Sequence, residues 1–398
     1  MSKNVNITLQ KNLSDIISLL ESAGFEAYAV GGYVRDSLMG RRAGDCDITT
    51  SALPEDTKSV FSDFRTIDTG IKHGTVTVLY EGESYEITTY RVDGEYADSR
   101  HPDSVSFTAS LEEDLARRDF TVNAMAYSDK RGLVDLFSGR DDLSLRIIRA
   151  VGDPEKRFTE DALRMLRALR FASVLDFEIE KSTRAVVFSL WHRIASVSPE
   201  RILIELQKLI SGVGAYRVIK EYSPLIAELF CTINEISLPD KEIFDSLSAG
   251  ERLISIFCLS SDISSQAYSE SMRALHSDRR TERFGADVLE LMSSDLSGDR
   301  LFESVLNYGR DTLLAALRLK EKLTGNCTHL VRLETALAGG FSGAVSDLAI
   351  GGRDILSLGY SGEKVGKIMR HLAIEVMNFS LENTRDSLIE YIKKAPLA

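Results

Sequence analysis

The chain has 398 residues, is 43% apolar and 27% charged, and carries a formal net charge of -12. Such a composition fits a globular protein of about two to four domains and excludes a disordered or fibrous chain. The acidic balance speaks against coating a phosphate backbone with the whole surface, although RIIRAVGDPEKRFTEDALRMLRALRF (146–171) holds more basic than acidic residues and leaves room for a basic groove.

No apolar run approaches the length of a membrane span. The opening stretch MSKNVNITLQKNLSDIISLL is broken by polar residues every few positions, unlike a signal peptide. Cys46, Cys231, Cys258 and Cys327 are scattered, with neither a disulfide framework nor zinc-ligand spacing. A cytoplasmic protein with no membrane partner is expected.

In chain order, residues 9 to 22 read as an amphipathic helix with Leu13, Ile16, Ile17 and Leu20 on one face. EAYAVGG is a short apolar strand ending in glycine, and VRDSLMG is a helical turn closed by Gly40. DCDITT alternates like a strand, and TVTVLYEG with ESYEITTYR forms a hairpin around Glu81 and Gly82. VDGEYADSRHPDSVSFTASLEEDLA, between Arg91 and Arg117, is too rich in Asp, Gly and Ser for a packed element. Beyond about residue 150 strand signals fade and helical periodicity runs to the end, so the fold class is α+β: a head of about 150 residues, then helices.

Asp45 and Asp47 carry the first chemical signal. On one strand both side chains share a face, about 6.5–7 Å apart by strand rise. Two carboxylates there suit Mg²⁺, which prefers oxygen ligands and keeps open positions for phosphates. A solvated strand edge is the other reading of a bare Asp-X-Asp. Gly31 and Gly32, directly after an apolar strand, let backbone N–H groups approach a phosphate, and Arg35 adds a cation. Neither a Walker P-loop nor a Rossmann glycine fingerprint is present.

The stretch VGGYVRDSLMGRRAGDCDITT resembles the signature of class II tRNA nucleotidyltransferases, the CCA-adding enzymes and their bacterial poly(A) polymerase relatives. TGIKHGTVTV (69–78), LARRDFTVNAMAY (115–127), RFTEDALRMLRALRF (157–171) and SPERILIELQKLI (198–210) match in order, and GGRDILSLGYSGEKVGKIMRHLAIEVMNFSLENTRDSLIEYI is similar to the tail of the bacterial members. The resemblance implies an N-terminal nucleotidyltransferase head (1–150) with a small mixed β-sheet and flanking helices. An all-helical neck (151–212), body (213–335) and tRNA-binding tail (336–398) would follow.

It further implies an enzyme that adds C, C and A to the tRNA 3' end from CTP and ATP, as a monomer or homodimer. Asp45 and Asp47 would hold Mg²⁺, with Glu86 as a candidate third carboxylate. Gly31, Gly32, Arg35, Arg118, Asp119 and Asn123 would contact the nucleotide. EDALRMLRALRF reads as one helix whose Glu160, Asp161, Arg164, Arg167 and Arg170 face one side, while Ala162, Leu166 and Leu169 pack on the other. An exposed helix with an Asp161–Arg164 ion pair is the plainer reading of that pattern.

The chemistry of the pair is specific. Cytosine and adenine both offer an amino group beside an unprotonated ring nitrogen, whereas uracil and guanine offer a carbonyl beside a ring N–H. A carboxylate acceptor at Asp161 with a guanidinium donor at Arg164 therefore accepts C and A and opposes U and G. Arg167 and Arg170 would hold triphosphate or close the pocket. The segment GEYADSRHPDSVSF resembles the family's loop for switching from C to A, which CC-only enzymes have shortened. None of the histidines (73, 101, 192, 276, 329, 371) precedes an aspartate, and His73 suits a structural turn. An A-adding enzyme or poly(A) polymerase of the same family stays open, as does a non-catalytic RNA-binding protein with a decayed site.

Overall fold

The computed structural model describes residues 7–44, 46–68, 70–93, 105–260 and 265–394. They form two compact units, Met1–Leu225 and Ile226–Ala398. The first holds all the strands named below and every candidate site residue.

It opens with α1 (Lys11–Ser22), whose Leu13, Ile16, Ile17 and Leu20 are the buried residues, as the periodicity predicts. Then come β1 (Ala27–Val30), α2 (Gly32–Leu38), β2 (Asp47–Thr50), α3 (Pro54–Val60) and β3 (Arg65–Ile67). The hairpin β4 (Thr75–Tyr80) and β5 (Glu83–Thr89) turns at Glu81 (φ 49°) and Gly82 (φ 82°). Two successive positive φ values match the right-handed twist of the strands, and Gly82 adopts its value without a Cβ clash. His73 ends a short 3-10 turn at Ile71–His73, closed by left-handed Gly74.

Next are β6 (Arg91–Asp93), β7 (Val105–Phe107), α4 (Leu111–Ala116), β8 (Met125–Ser128) and β9 (Gly132–Asp135). The polar segment before Arg117 thus does contain packed elements, contrary to expectation. Ser110 caps α4 by accepting from the Glu113 N–H, three acidic residues fill its first turn, and Leu115 is fully buried. A cap and a favourable first turn offset the polar composition. Residues 94–104, with most of the loop expected to govern the switch from C to A, lie outside the described residues.

Among the described residues the main sheet has seven strands in the order β3-β4-β5-β2-β1-β8-β9. Every pairing in it is antiparallel except β2 with β5, so the sheet is mixed. β1 is buried along its whole length because both faces are covered. Ala27 and Ala29 join the core under α1, while Tyr28 and Val30 join a smaller cluster with Tyr90 and Leu115.

The unit continues through α5 (Gly139–Leu145), β10 (Ile147–Ile148), α6 (Pro154–Glu160), α7 (Leu163–Leu175), β11 (Glu178–Ile179), α8 (Lys181–Leu190) and α9 (Pro199–Ser211). Strands do not stop at residue 150: β10 and β11 pair in parallel, two residues each. Runs that short carry no alternation for a sequence to display. The second unit is helical, from Lys241–Ser246 to Arg385–Lys394. Among the described residues no helix is long and apolar enough to cross a membrane.

Candidate active site

Strand register brings the carboxylates together. Val30, at the end of β1, pairs with Asp47 at the start of β2, and Asp47 lies in register with Glu86 on the parallel neighbour β5. Ile48 and Ile87, the next residues on each strand, point into the core, so alternation turns Asp47 and Glu86 to the opposite face, where both are exposed. Asp45 lies outside the described residues.

The twin glycine abuts this pair. Gly31 has φ 68° and ψ -131°, a backbone conformation suited to glycine. A Cβ there would sit 3.3 Å from Arg118 Nη1 and 4.0 Å from Asp47 Oδ2. The missing side chain therefore gives the Arg118 guanidinium room against the glycine turn, with the Asp47 carboxylate beside it. A Cβ on Gly32 would meet Arg35 Nη2 at 3.5 Å. Arg118 itself leans on Asp114, its Nη2 donating to Oδ2 at 3.4 Å, while its buried Nε has no hydrogen-bond partner among the described residues.

Asp114, which carries no signal in the sequence, is completely buried. It accepts from Arg117 Nε at 3.0 Å and from Thr49 Oγ1 at 3.1 Å. Burial alone would raise its pKa, but the Arg117 and Arg118 charges overcome this and hold the carboxyl below its ordinary value.

A second network joins the glycine turn to α7. Arg35 forks onto Asp36 at 2.8 and 3.0 Å, and its Nη1 donates to Asn123 Oδ1 at 2.7 Å. Asn123 Nδ2 donates to Asp119 Oδ1 at 3.2 Å, and Arg167 clamps Asp119 Oδ2 through Nε at 2.8 Å and Nη2 at 2.6 Å. Burial pushes the Asp119 pKa up, yet Arg167's charge and hydrogen bonds, helped by Arg164 and Asn123, bring it down to about 2. On α9, buried Glu205 accepts from Arg170 Nε at 2.8 Å and Arg167 Nη1 at 3.5 Å. Arg170 stacks 3.5 Å from the centre of the Phe171 ring.

The helix expected through EDALRMLRALRF is two helices. α6 stops at Glu160, Asp161 is extended (φ -142°, ψ 106°), and α7 starts at Leu163. The Asp161–Arg164 ion pair of the plainer reading does not form. Arg164 Nη1 donates to Glu160 Oε2 at 2.7 Å and to the Arg157 carbonyl at 3.2 Å, and Nη2 to the Arg117 carbonyl at 3.0 Å. Asp161 instead accepts from Arg201 on α9 and from the Leu163 N–H. The break has a local cause: Asp161 Oδ1 satisfies an N–H at the start of α7, competing with continued helix. Arg157 fastens α6 to α4 by donating from Nη1 to the Ala116 carbonyl at 3.2 Å.

Site residues beyond those expected are therefore Asp114, Arg157, Arg201 and Glu205. Arg157, Arg201 and Glu205 lie within the stretches that carry the family resemblance; Arg201 and Glu205 have partners 35 to 40 residues away, and Arg157 reaches the Ala116 carbonyl 41 residues away, so spacing alone does not reveal these contacts.

Among the described residues no three metal-ligating side chains cluster. Asp47 and Glu86 supply two hard oxygen donors on an exposed strand face, which suits Mg²⁺ or Mn²⁺ rather than a thiophilic ion.

Residues 27–149 match the Poly A polymerase head domain, and residues 176–223 match the Probable RNA and SrmB- binding site of polymerase A. The chain is 34% identical over 386 residues to the CCA-adding enzyme of Pediococcus pentosaceus, covering 95% of this chain and 96% of that one. It is 35% identical over 401 residues to that of Streptococcus gordonii, covering 97% and 98%. The crystal structure of the Bacillus stearothermophilus CCA-adding enzyme in complex with CTP superposes with a TM-score of 0.77 at 32% identity, covering 96% of each chain. These matches define a nucleotidyltransferase. The chain belongs to the class II tRNA nucleotidyltransferases, in the family of the CCA-adding enzymes.

Proposed function

We propose that this enzyme adds C, C and A in turn to the 3' end of tRNA, taking CTP and then ATP without a nucleic-acid template. The observation that carries the reading is the convergence of Gly31, Asp47 and Arg118, with Arg164 hydrogen-bonded to the carbonyl of the residue before Arg118. A base-reading group is thereby tied to a phosphate-type site. The relative solved with CTP supports the nucleotide assignment.

In this reading Asp161 accepts the base amino group and Arg164 donates to the unprotonated ring nitrogen, while U and G leave both groups opposed. Arg118, with Nη1 beside Gly31, supplies a cation for a phosphate or sugar oxygen. Gly31 and Gly32 leave room for the triphosphate, and the Asp119–Arg167 clamp fixes α7 against the head. Asp47 and Glu86, with Asp45, would hold Mg²⁺, which when bound would neutralise the attacking oxygen and the leaving pyrophosphate. The tRNA 3'-oxygen bonds to the α-phosphorus, the bond from that phosphorus to the β-phosphate oxygen breaks, pyrophosphate departs, and the hydroxyl proton passes to solvent.

The test uses purified protein, Mg²⁺ and a tRNA transcript ending at its discriminator base, with CTP, ATP or both, and products resolved to one nucleotide. Addition of two C, one A and then a stop is expected. Addition of A only after a preformed CC would make it an A-adding enzyme, and a long A ladder a poly(A) polymerase. No extension by wild type or by Asp47→Ala would leave a non-catalytic RNA-binding protein.

A further inference from the structure

We propose that Arg201, on α9, is a positioning residue that sets base selectivity by fixing how many hydrogen bonds Asp161 has left to accept; this rests on the reading of Asp161 as the base acceptor. An ionised carboxylate offers about four lone-pair sites. Asp161 Oδ1 accepts the Leu163 N–H at 3.0 Å and Arg201 Nη1 at 3.4 Å, and Oδ2 accepts Arg201 Nη2 at 2.7 Å. Three sites are used among the described residues, and the one that remains is on Oδ2. That matches a single exocyclic amino group.

Arg201 also fixes direction. The fork of a guanidinium on a carboxylate is planar, so it sets the plane of the Asp161 group and with it the line along which the last lone pair points. Asp161 sits in extended backbone between α6 and α7, and its side chain is held by the Leu163 N–H at the start of α7 and by Arg201. Its side chain keeps 15% of its exposure and that of Arg201 24%, so the pair borders solvent rather than core. The donor side is matched in the same way. Arg164 spends Nη1 on Glu160 and the Arg157 carbonyl and one Nη2 hydrogen on the Arg117 carbonyl, leaving Nε–H and one Nη2–H.

Without Arg201 the Asp161 carboxylate would rotate about its Leu163 contact and present further acceptors to water. Its selectivity against a carbonyl-bearing base would then fall. Lysine at 201 supplies the charge but not the fork.

The experiment measures kcat and KM for CTP and UTP incorporation into a tRNA ending at the discriminator base, for wild type and for Arg201→Ala, Arg201→Lys and Asp161→Ala, with thermal melts of each. Arg201→Ala is expected to lower the CTP-to-UTP ratio of kcat/KM by about tenfold, chiefly through KM for CTP. Arg201→Lys should restore stability but only part of the ratio. If Asp161→Ala collapses the ratio while Arg201→Ala and Arg201→Lys leave it unchanged, the positioning role is overturned and Arg201 merely braces α9. If Asp161→Ala leaves the ratio unchanged, the base-acceptor reading itself fails, and this inference with it.

Discussion

Arg164 Nη2 donates to the carbonyl oxygen of Arg117 at 3.0 Å, joining the start of α7 to the residue beside Arg118. A guanidinium spanning Glu160 and that carbonyl needs its planar fork, which an ammonium lacks. Arg164→Lys is expected to lower kcat/KM for CTP by about two orders of magnitude with a small change in melting temperature. Steady-state kinetics with CTP, beside a thermal melt, check this.

Asp47 and Glu86 stand in register on adjacent parallel strands, exposed on one face. Asp47→Ala should lower the rate of nucleotide addition on the order of a thousandfold, the scale of losing several kcal/mol of transition-state charge stabilisation. Glu86→Gln should be weaker. An Asp47→Ala variant that extends tRNA at the wild-type rate would remove this carboxylate from the chemistry.

Gly31 combines a positive φ with a Cβ direction that meets Arg118 Nη1 at 3.3 Å. Gly31→Ala is expected to cost about 1–3 kcal/mol in urea unfolding and to displace Arg118. Nucleotide affinity, read by titration calorimetry with CTP, should fall in parallel. Gly40→Ala, where a Cβ would meet nothing within 4 Å, is the control for a positive φ without the steric contact.

Asp119 gives a pH signature. Its folded-state pKa of about 2 lies below the ordinary 3.8, so its carboxylate contributes stability above the unfolded value that is lost as pH falls through the folded one. The contribution is roughly 2 kcal/mol at neutral pH. Asp119→Asn should therefore lower unfolding free energy at pH 7 and make little difference near pH 2. Equal destabilisation at both ends of that range would assign the effect to packing.

The sequence displayed what local physics controls. The face of α1 through Leu13, Ile16, Ile17 and Leu20 follows from helical period, and the turn at Glu81 and Gly82 follows from strand alternation on either side of a glycine. The family matches bear out the resemblance and the α+β fold. The break at Asp161 was hidden because no proline or glycine marks it. The apolar series through Leu163, Leu166 and Leu169 runs smoothly into the preceding helix, and the stabilising partner Arg201 is 40 residues away. Asp114 was equally hidden: in LEEDLA it reads as one of three surface acids, and only the fold buries it beneath Thr49 and two arginines.

Among the described residues β2 with β5 is the one parallel pairing in the main sheet, and it governs how Asp47 comes to face Glu86. β4 and β5 close on each other across two residues, a local event that a hairpin completes within microseconds. Asp47 meets Glu86 only when that finished hairpin docks edge-on against β2, with α3 and β3 folded into the intervening loop. Such non-local closures are slow steps in folding. The pairing of Asp47 with Glu86 is therefore expected to follow formation of the β4–β5 hairpin rather than to accompany it.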